Sequence, residues 1–476
     1  MRTRGIALAA TILTVAWCSD VRADEEKEKE LERKLAEMQR QIDEMSKRLG
    51  DGGDRSDDEL EQRVAELEKV TKKDQDGLFA YWKNGIRLDS VDGAFKLSIF
   101  GRAQLDFTFW DNDDDNQDAI GETNSSTEFR RVRLGMGGTI YKNVEYKAEF
   151  DFADQGNGTA AFADVFMQLN NLCGKPVHVR VGHFDEPFSI ERLTSSKYFT
   201  FAERSLVEGA GFTPSRNTGV MVFGNALENR LGWFAGGFRD TNVYGNDIGP
   251  AHPGQHGLTA RVAGRPWVHE DGTKWVHVGA AATRRNPNNE TVQFRARPEV
   301  HVGPRFVDTG AMTMVDRNTM FDLEAAANFG PFHAQAEFVS AELDGADGKL
   351  STDPDGEDRS FSAWSIQCGY FITGETREYD VKGCRWDRIK VKKNYGDGVG
   401  AWEVAVRLSK VDLNDADVEG GEMTDVTFGV NWYLNPNTKV MFNWIHFDPD
   451  REVTTAGTTY DLTSSDAFII TFRIDF

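Results

Sequence analysis

The chain has 476 residues, enough for one large domain or two to three ordinary ones, with 77 acidic against 55 basic side chains and a formal net charge of −22. So acidic a balance predicts no nucleic-acid partner, and four cysteines without CxxC spacing exclude a disulfide scaffold or a zinc module. Past the first residues no stretch of about 18 apolar residues occurs, which excludes a transmembrane helix. A soluble exported protein and a membrane β-barrel both stay open, because a barrel strand needs only alternate residues to be apolar.

In chain order, two N-terminal arginines, an apolar run from Ile6 to Trp17 and the small-residue site at Ala23 predict a signal peptide over residues 1–23. The bulky Trp17 before Cys18 argues against a lipoprotein site. Residues 24–76 then carry Leu31, Leu35, Met38, Ile42, Met45 and Leu49 at spacings of four and three, the a/d seam of a coiled coil. Most other positions there are charged or Gln. A periplasmic coiled coil that associates subunits is expected. A single amphipathic helix docked on its own domain is the alternative, against which the narrow apolar stripe argues.

From about residue 80 the period becomes two. In "DAFIITFRIDF", Phe468, Ile470, Phe472 and Ile474 share one face, while Thr471, Arg473 and Asp475 share the other. Similar runs recur near 95–110, 128–140, 144–153, 161–170, 176–184, 217–224, 230–239, 256–265, 274–284, 319–330, 332–343, 360–374, 400–413, 424–435, 439–448 and 466–476. Very short turns such as "YKN" and "GP" alternate with long acidic loops, the layout of an outer-membrane barrel. The expected fold over 80–476 is therefore all-β, a 16-stranded antiparallel transmembrane β-barrel, preceded by the α-helical coiled coil. "QFRARPEVHVG" near 293 would be a seventeenth strand, which an even count forbids, so 285–318 reads as a long external loop. Cys368 falls in a strand and Cys384 in a polar connection, and whether they pair stays open.

Parity assigns faces. Val132, Leu134, Met136 and Ile140 face lipid, which turns Arg131 and Arg133 inward; Arg130 falls near the rim or an adjoining gap. Arg102, Gln104 and Asp106 point inward, as do Lys147, Glu149, Asp151, His178, Arg180, Arg261, Arg407 and Arg473. An arginine on the lipid face would cost roughly 2–4 kcal/mol near the midplane. Singly, such cations are ordinary residues of a wet wall. Arg131 and Arg133 are harder to dismiss, because two planar guanidinium forks on adjacent inward positions suit phosphate or carboxylate. The stretch "DEPFSIERLTSSKYFTFAERSLVEGAGFTPSRN" is too long for a passive connection and carries Arg192, Lys197, Arg204 and Arg216. Folded into the barrel, it would narrow the pore.

The stretches "FAYWKNGIRLDSVDGAFKL", "FRRVRLGMGG", "GHFDEPFSIERLTSSKYFTFAERS", "GYFITGETREYD", "GAWEVAVRLSKVDLND" and "VTFGVNWYLNPNTKVMFNW", with the final Phe476, resemble the phosphate-selective porin O and P family of the bacterial outer membrane. The resemblance implies a homotrimer of sixteen-stranded barrels, each with an inward third loop and an arginine ladder leading to a basic constriction. By it, Arg130 and Arg131 match the paired arginines of the anion site. Arg192, Lys197 and Arg204 match basic residues of the constriction loop, Asp164 an acidic residue that helps hold the site, and Arg102 an early rung of the ladder.

The expected function is thus passive diffusion of small anions, phosphate or polyphosphate, through an arginine-lined pore. The alternatives are a general porin with balanced lumenal charge, or a structural barrel tethering the envelope through a periplasmic partner of the coiled coil. Outer-membrane lipid is the surrounding partner. Neither cofactor nor metal is expected: "DNDDDN" lacks the glycine of a calcium loop. No HExxH or GxSxG motif points to an enzyme. Acidic loops such as "WDNDDDNQD" would repel incoming anions, over a reach that salt limits to about 8–10 Å, or would instead bind divalent cations that bridge surface lipids.

Overall fold

The computed structural model describes residues 77–153, 160–246, 256–346 and 357–476. The expected signal peptide and coiled coil lie outside the described residues. Sixteen strands form one antiparallel barrel: β1 Lys96–Asp111, β2 Ser126–Ile140, β3 Val144–Asp151, β4 Ala161–Leu169, β5 Val177–Asp185, β6 Arg216–Ala226, β7 Leu231–Arg239, β8 Gly257–Val268, β9 Lys274–Arg285, β10 Arg317–Phe329, β11 Phe332–Ala346, β12 Glu357–Phe371, β13 Ala401–Asp415, β14 Val418–Asn435, β15 Thr438–Asp450 and β16 Ser465–Asp475. Each pairs with its neighbours in sequence, and β16 returns to β1 from Asp466↔Asp111 to Asp475↔Arg102, which closes the sheet and removes its edges.

An N-terminal hairpin, Leu78–Trp82 and Ile86–Ser90, extends the sheet below the point where β16 stops. Its second strand pairs with the first residues of β1, and the terminal Phe476 exchanges two 3.0 Å backbone hydrogen bonds with Gly101. Gly101 must lack a side chain, because a Cβ there would lie 2.7 Å from the Phe476 ring.

The outer face is apolar where parity requires it. Leu134, Met136, Phe428, Phe442, Phe468 and Phe472 are exposed, while their strand neighbours turn inward. Aromatic pairs gather at the short-turn rim: Trp402 stacks on Trp432 at 5.4 Å, Phe95 meets Tyr141 at 4.8 Å, and Trp267 stacks on Phe329 at 6.0 Å. Such girdles sit at the lipid headgroups.

The inward face divides into two zones. Toward the short turns it is polar. Toward the long loops Val339, Ala341, Leu343, Val411, Leu413, Ile445 and Phe447 face inward and are fully buried against Phe188, Leu206, Phe212, Phe294 and Phe306 of the loops. Here the lumen is filled with folded chain, so its wall is a hydrophobic core. Alternation alone predicts polar residues at those positions.

Three segments enter the barrel: residues 186–215, residues 286–316 and, from the short-turn end, residues 372–400. The last departs from the expected layout of short turns on one side. Its Trp386 is buried against Trp275 at 4.8 Å and donates to Gln335 Oε1 at 2.6 Å. On the opposite rim β13 and β14 are joined by only Ala416 and Asp417. "DNDDDN" opens a short helix, Asp114–Ile120, with Asp113 capping the Asp115 amide at 2.9 Å. Cys368 and Cys384 are free thiols.

Candidate functional site

The three arginines of "FRRVR" reach the lumen because β2 bulges. Gln104 pairs with Arg131 and Leu105 with Phe129, so Arg130 is the extra residue between them. A bulge resets alternation by one, which places Arg130 and Arg131 on the same face. Phe129 remains outside, 61% exposed, and Arg131 is 3% exposed. Arg130, expected near the rim, is instead held inside by Glu203: its Nε and Nη2 lie 2.7 and 3.2 Å from the two carboxylate oxygens. Arg131 Nη1 donates to Gln104 Oε1 at 2.8 Å and stands 3.4 Å from Glu203. Burial opposes ionisation of Glu203, but Arg130 and Arg131 outweigh it and hold the carboxyl well below the usual range.

The other expected residues fall into pairs. Arg133 donates to Asp151 at 2.6 Å. Arg102 bridges Glu149 at 2.8 Å and Ser196 Oγ at 2.5 Å, tying β1 to the constriction segment. Asp164 accepts from Lys147 at 2.6 Å and Arg216 at 2.8 Å. Arg192 is neutralised by Asp185 at 2.9 Å and by Glu208. Arg204 donates to the carbonyls of Glu191 and Arg192, stacks on Phe199 at 4.6 Å, and stands 3.6 Å from Glu208. Most of these arginines are therefore counterbalanced.

Lys197 differs. It makes no ion pair among the described residues, with Phe100 and Tyr198 rings 5.8 and 5.9 Å from Nζ. Burial first, and then the Arg102 guanidinium, push its pKa down to about 8.

Further cations without an ion pair among the described residues escaped the sequence reading or carried no weight in it. Arg473 donates to Ser196 O and to Gln104 Oε1 at 2.9 Å, Lys439 to Phe199 O, and Arg377 to Tyr198 O and Thr200 Oγ1. These three side chains grip the constriction segment by uncharged oxygens, and no carboxylate among the described residues pairs with them. Arg473, Lys439 and Lys197 line one cavity at the short-turn end with Arg388 and its partner Asp475. Above the constriction a second cavity holds Arg130, Arg204, Arg297 and Arg305 beside Glu203, Glu208, Glu299 and His301. Among the described residues Arg297 and Arg305 donate to carbonyls alone. Strand parity could have found Lys439; nothing in the sequence places Arg377, which sits in a connection.

A closed sixteen-stranded barrel with an apolar belt, an aromatic rim and a charged, partly plugged interior is a porin of the bacterial outer membrane. The profile of the family described as phosphate-selective porin O and P matches residues 97–476, and the chain belongs to that family. Porin O of Pseudomonas aeruginosa is 26% identical over 400 residues, covering 78% of this chain and 86% of that one. An uncharacterised protein of Caulobacter vibrioides is 29% identical over 355 residues, covering 72% of this chain and 66% of its own length. Among solved structures, the anion-selective porin from Comamonas acidovorans aligns with a TM-score of 0.49 at 15% identity, covering 80% of this chain and all of that one.

Proposed function

We propose that the barrel is an anion-preferring diffusion channel whose physiological solute is phosphate or polyphosphate. The observation that carries this reading is the set of lumenal cations that meet neutral oxygens or rings and no carboxylate among the described residues: Lys197, Arg377 and Arg473 at the constriction, with Arg297 and Arg305 above it. An anion entering from the long-loop side meets guanidinium groups that replace part of its hydration, then passes to Lys197 and the cavity below. Each site is shared with protein acceptors, which keeps binding weak enough for release. Site roles for Arg102, Arg130, Arg131, Arg133, Asp164, Arg192, Lys197 and Arg204 belong to this proposal. The bidentate Arg130–Glu203 pair and the Arg133–Asp151 pair favour a second reading, a general porin with balanced charge.

Single-channel recording separates the two. In a potassium chloride gradient the reversal potential should favour chloride, and added phosphate should reduce the chloride current in a saturable way. A cation-preferring reversal potential, or chloride current indifferent to phosphate, returns the protein to the second reading.

Lys197 adds a pH dependence. A group with a pKa of about 8 loses its charge as pH rises through that value. Arg102 and Arg388 favour the loss, while Asp475 and Glu149 oppose it. Anion preference should therefore fall between pH 7 and pH 9, and Lys197→Met should be lower at pH 7 and flat across the range. A wild-type channel that is also flat would mean that permeating ions do not sense Lys197.

We also propose that residues 1–23 are removed on export and that residues 24–76 form a periplasmic coiled coil joining three barrels. The a/d seam from Leu31 to Leu49 supports this reading. Deleting residues 24–76 should lower the trimer fraction on chemical cross-linking; an unchanged fraction would leave the segment to an envelope partner.

A further inference from the structure

We propose that Asp322, Glu324 and Glu337 form a calcium site inside the barrel wall that fixes the start of the constriction segment. Asp322 and Glu324 lie two residues apart on the inward face of β10, and Glu337 lies directly across from Glu324 on β11. Each is at most 3% exposed, and one carboxylate oxygen from each comes within 4.8 Å of the others. Like charges directly opposite in an antiparallel pair are destabilising, and a third on the same face adds to the repulsion.

Asp322 Oδ2 accepts from the Ser189 amide at 3.2 Å. Glu337 Oε2 accepts from the Glu191 amide at 3.3 Å and from Gln335 Nε2 at 3.2 Å. Glu324 Oε1 takes Arg261 at 2.6 Å and faces His277 Nε2 at 3.4 Å. The second oxygen of every one of the three, Asp322 Oδ1, Glu324 Oε2 and Glu337 Oε1, is buried with no partner among the described residues. Buried carboxylate oxygens are ordinarily satisfied, and leaving three of them unpaired on adjacent side chains is costly.

A divalent cation removes the deficit. Three carboxylates against the single guanidinium of Arg261 leave two negative charges, which one such ion balances. The donors are all hard oxygens, which select calcium or magnesium over zinc or copper. Ligand oxygens of one calcium stand at most about 4.6–5.2 Å apart, given Ca–O distances of about 2.3–2.6 Å, and three oxygens all within 4.8 Å of one another fall inside that limit. Water in the lumen completes the shell. Because Asp322 and Glu337 also hold the amides of Ser189 and Glu191, the ion clamps the entry of the constriction segment. Ser189 has a φ of 64°, a left-handed conformation that a non-glycine residue keeps only when its surroundings fix it.

The test uses the purified full-length protein, stripped with EDTA and dialysed against calcium chloride. Wild type should retain one more calcium per chain than Glu337→Gln or the isosteric Asp322→Asn, which discounts ions held by the acidic loops. Equal retention would overturn the proposal and assign the cluster to shared protons. A second measurement covers variants that fold poorly. Trp386 donates to Gln335, whose amide touches Glu337, so terbium in the wild-type site should show indole-sensitised emission that calcium displaces. That emission should fall in Trp386→Phe and be lost when Trp275, 4.8 Å from Trp386, is replaced by phenylalanine as well. Emission that is absent, or indifferent to both indoles, also overturns the site.

Discussion

Replacing Glu203 with glutamine should tighten phosphate block of the chloride current by roughly tenfold or more, since a charge pair at about 4 Å is worth on the order of 4 kcal/mol even in a medium of effective dielectric 20. Glu203 occupies the Nε and Nη2 edge of Arg130 and stands against Arg131, so the wild-type carboxylate competes with any anion for that edge. The variant leaves two buried guanidinium groups to seek another partner, and the solute is the one at hand. The measurement is the phosphate concentration that halves the single-channel chloride current. A weaker block would show that Glu203 acts chiefly by holding the constriction segment in place. The double variant with Arg130→Ala should return the block toward wild type, because it removes the fork that Glu203 had neutralised.

The second large effect concerns the segment that enters from the short-turn end. Trp386→Ala should cost about 3–5 kcal/mol of local stability, the range for deleting a buried aromatic side chain. The ring packs on Trp275, lies edge-on to His333 at 5.9 Å, and carries the Arg377 guanidinium 4.6 Å above its face. Arg377 in turn donates to Tyr198 O and Thr200 Oγ1, and Arg385 donates to Leu193 O at 2.9 Å. Loss of the ring thus releases both the periplasmic segment and one anchor of the constriction. Open-channel conductance should rise, and protease should cut within residues 372–400 of the folded variant at concentrations that leave wild type intact. Unchanged conductance with the same cleavage would mean that the constriction keeps its place through Arg473 and Lys439 alone.

What the chain order and parity of "DAFIITFRIDF" and its fifteen companions determined was the barrel itself: sixteen strands, their boundaries within three residues except for β14, which starts at Val418 and not at 424, and which face meets lipid. A strand in a membrane has one apolar side, and a period of two writes that side into the sequence. The same parity placed Arg102, Arg131, Arg133, Arg407 and Arg473 inside. It failed at Arg130 because a bulge adds one residue to one strand, and neither the bulge nor its cause, the register against Gln104 and Leu105, is a local property. It failed again at Val339, Leu343, Val411 and Phe447, where the inner wall packs loops instead of water. Charge could be counted from the sequence, but not its pairing. Arg192 and Lys197 lie five residues apart in one loop, yet two carboxylates neutralise the first and none among the described residues reaches the second. Whether a cation stays available to a solute depends on which strands and loops are brought beside it, and that is decided only when the barrel closes around its own segments.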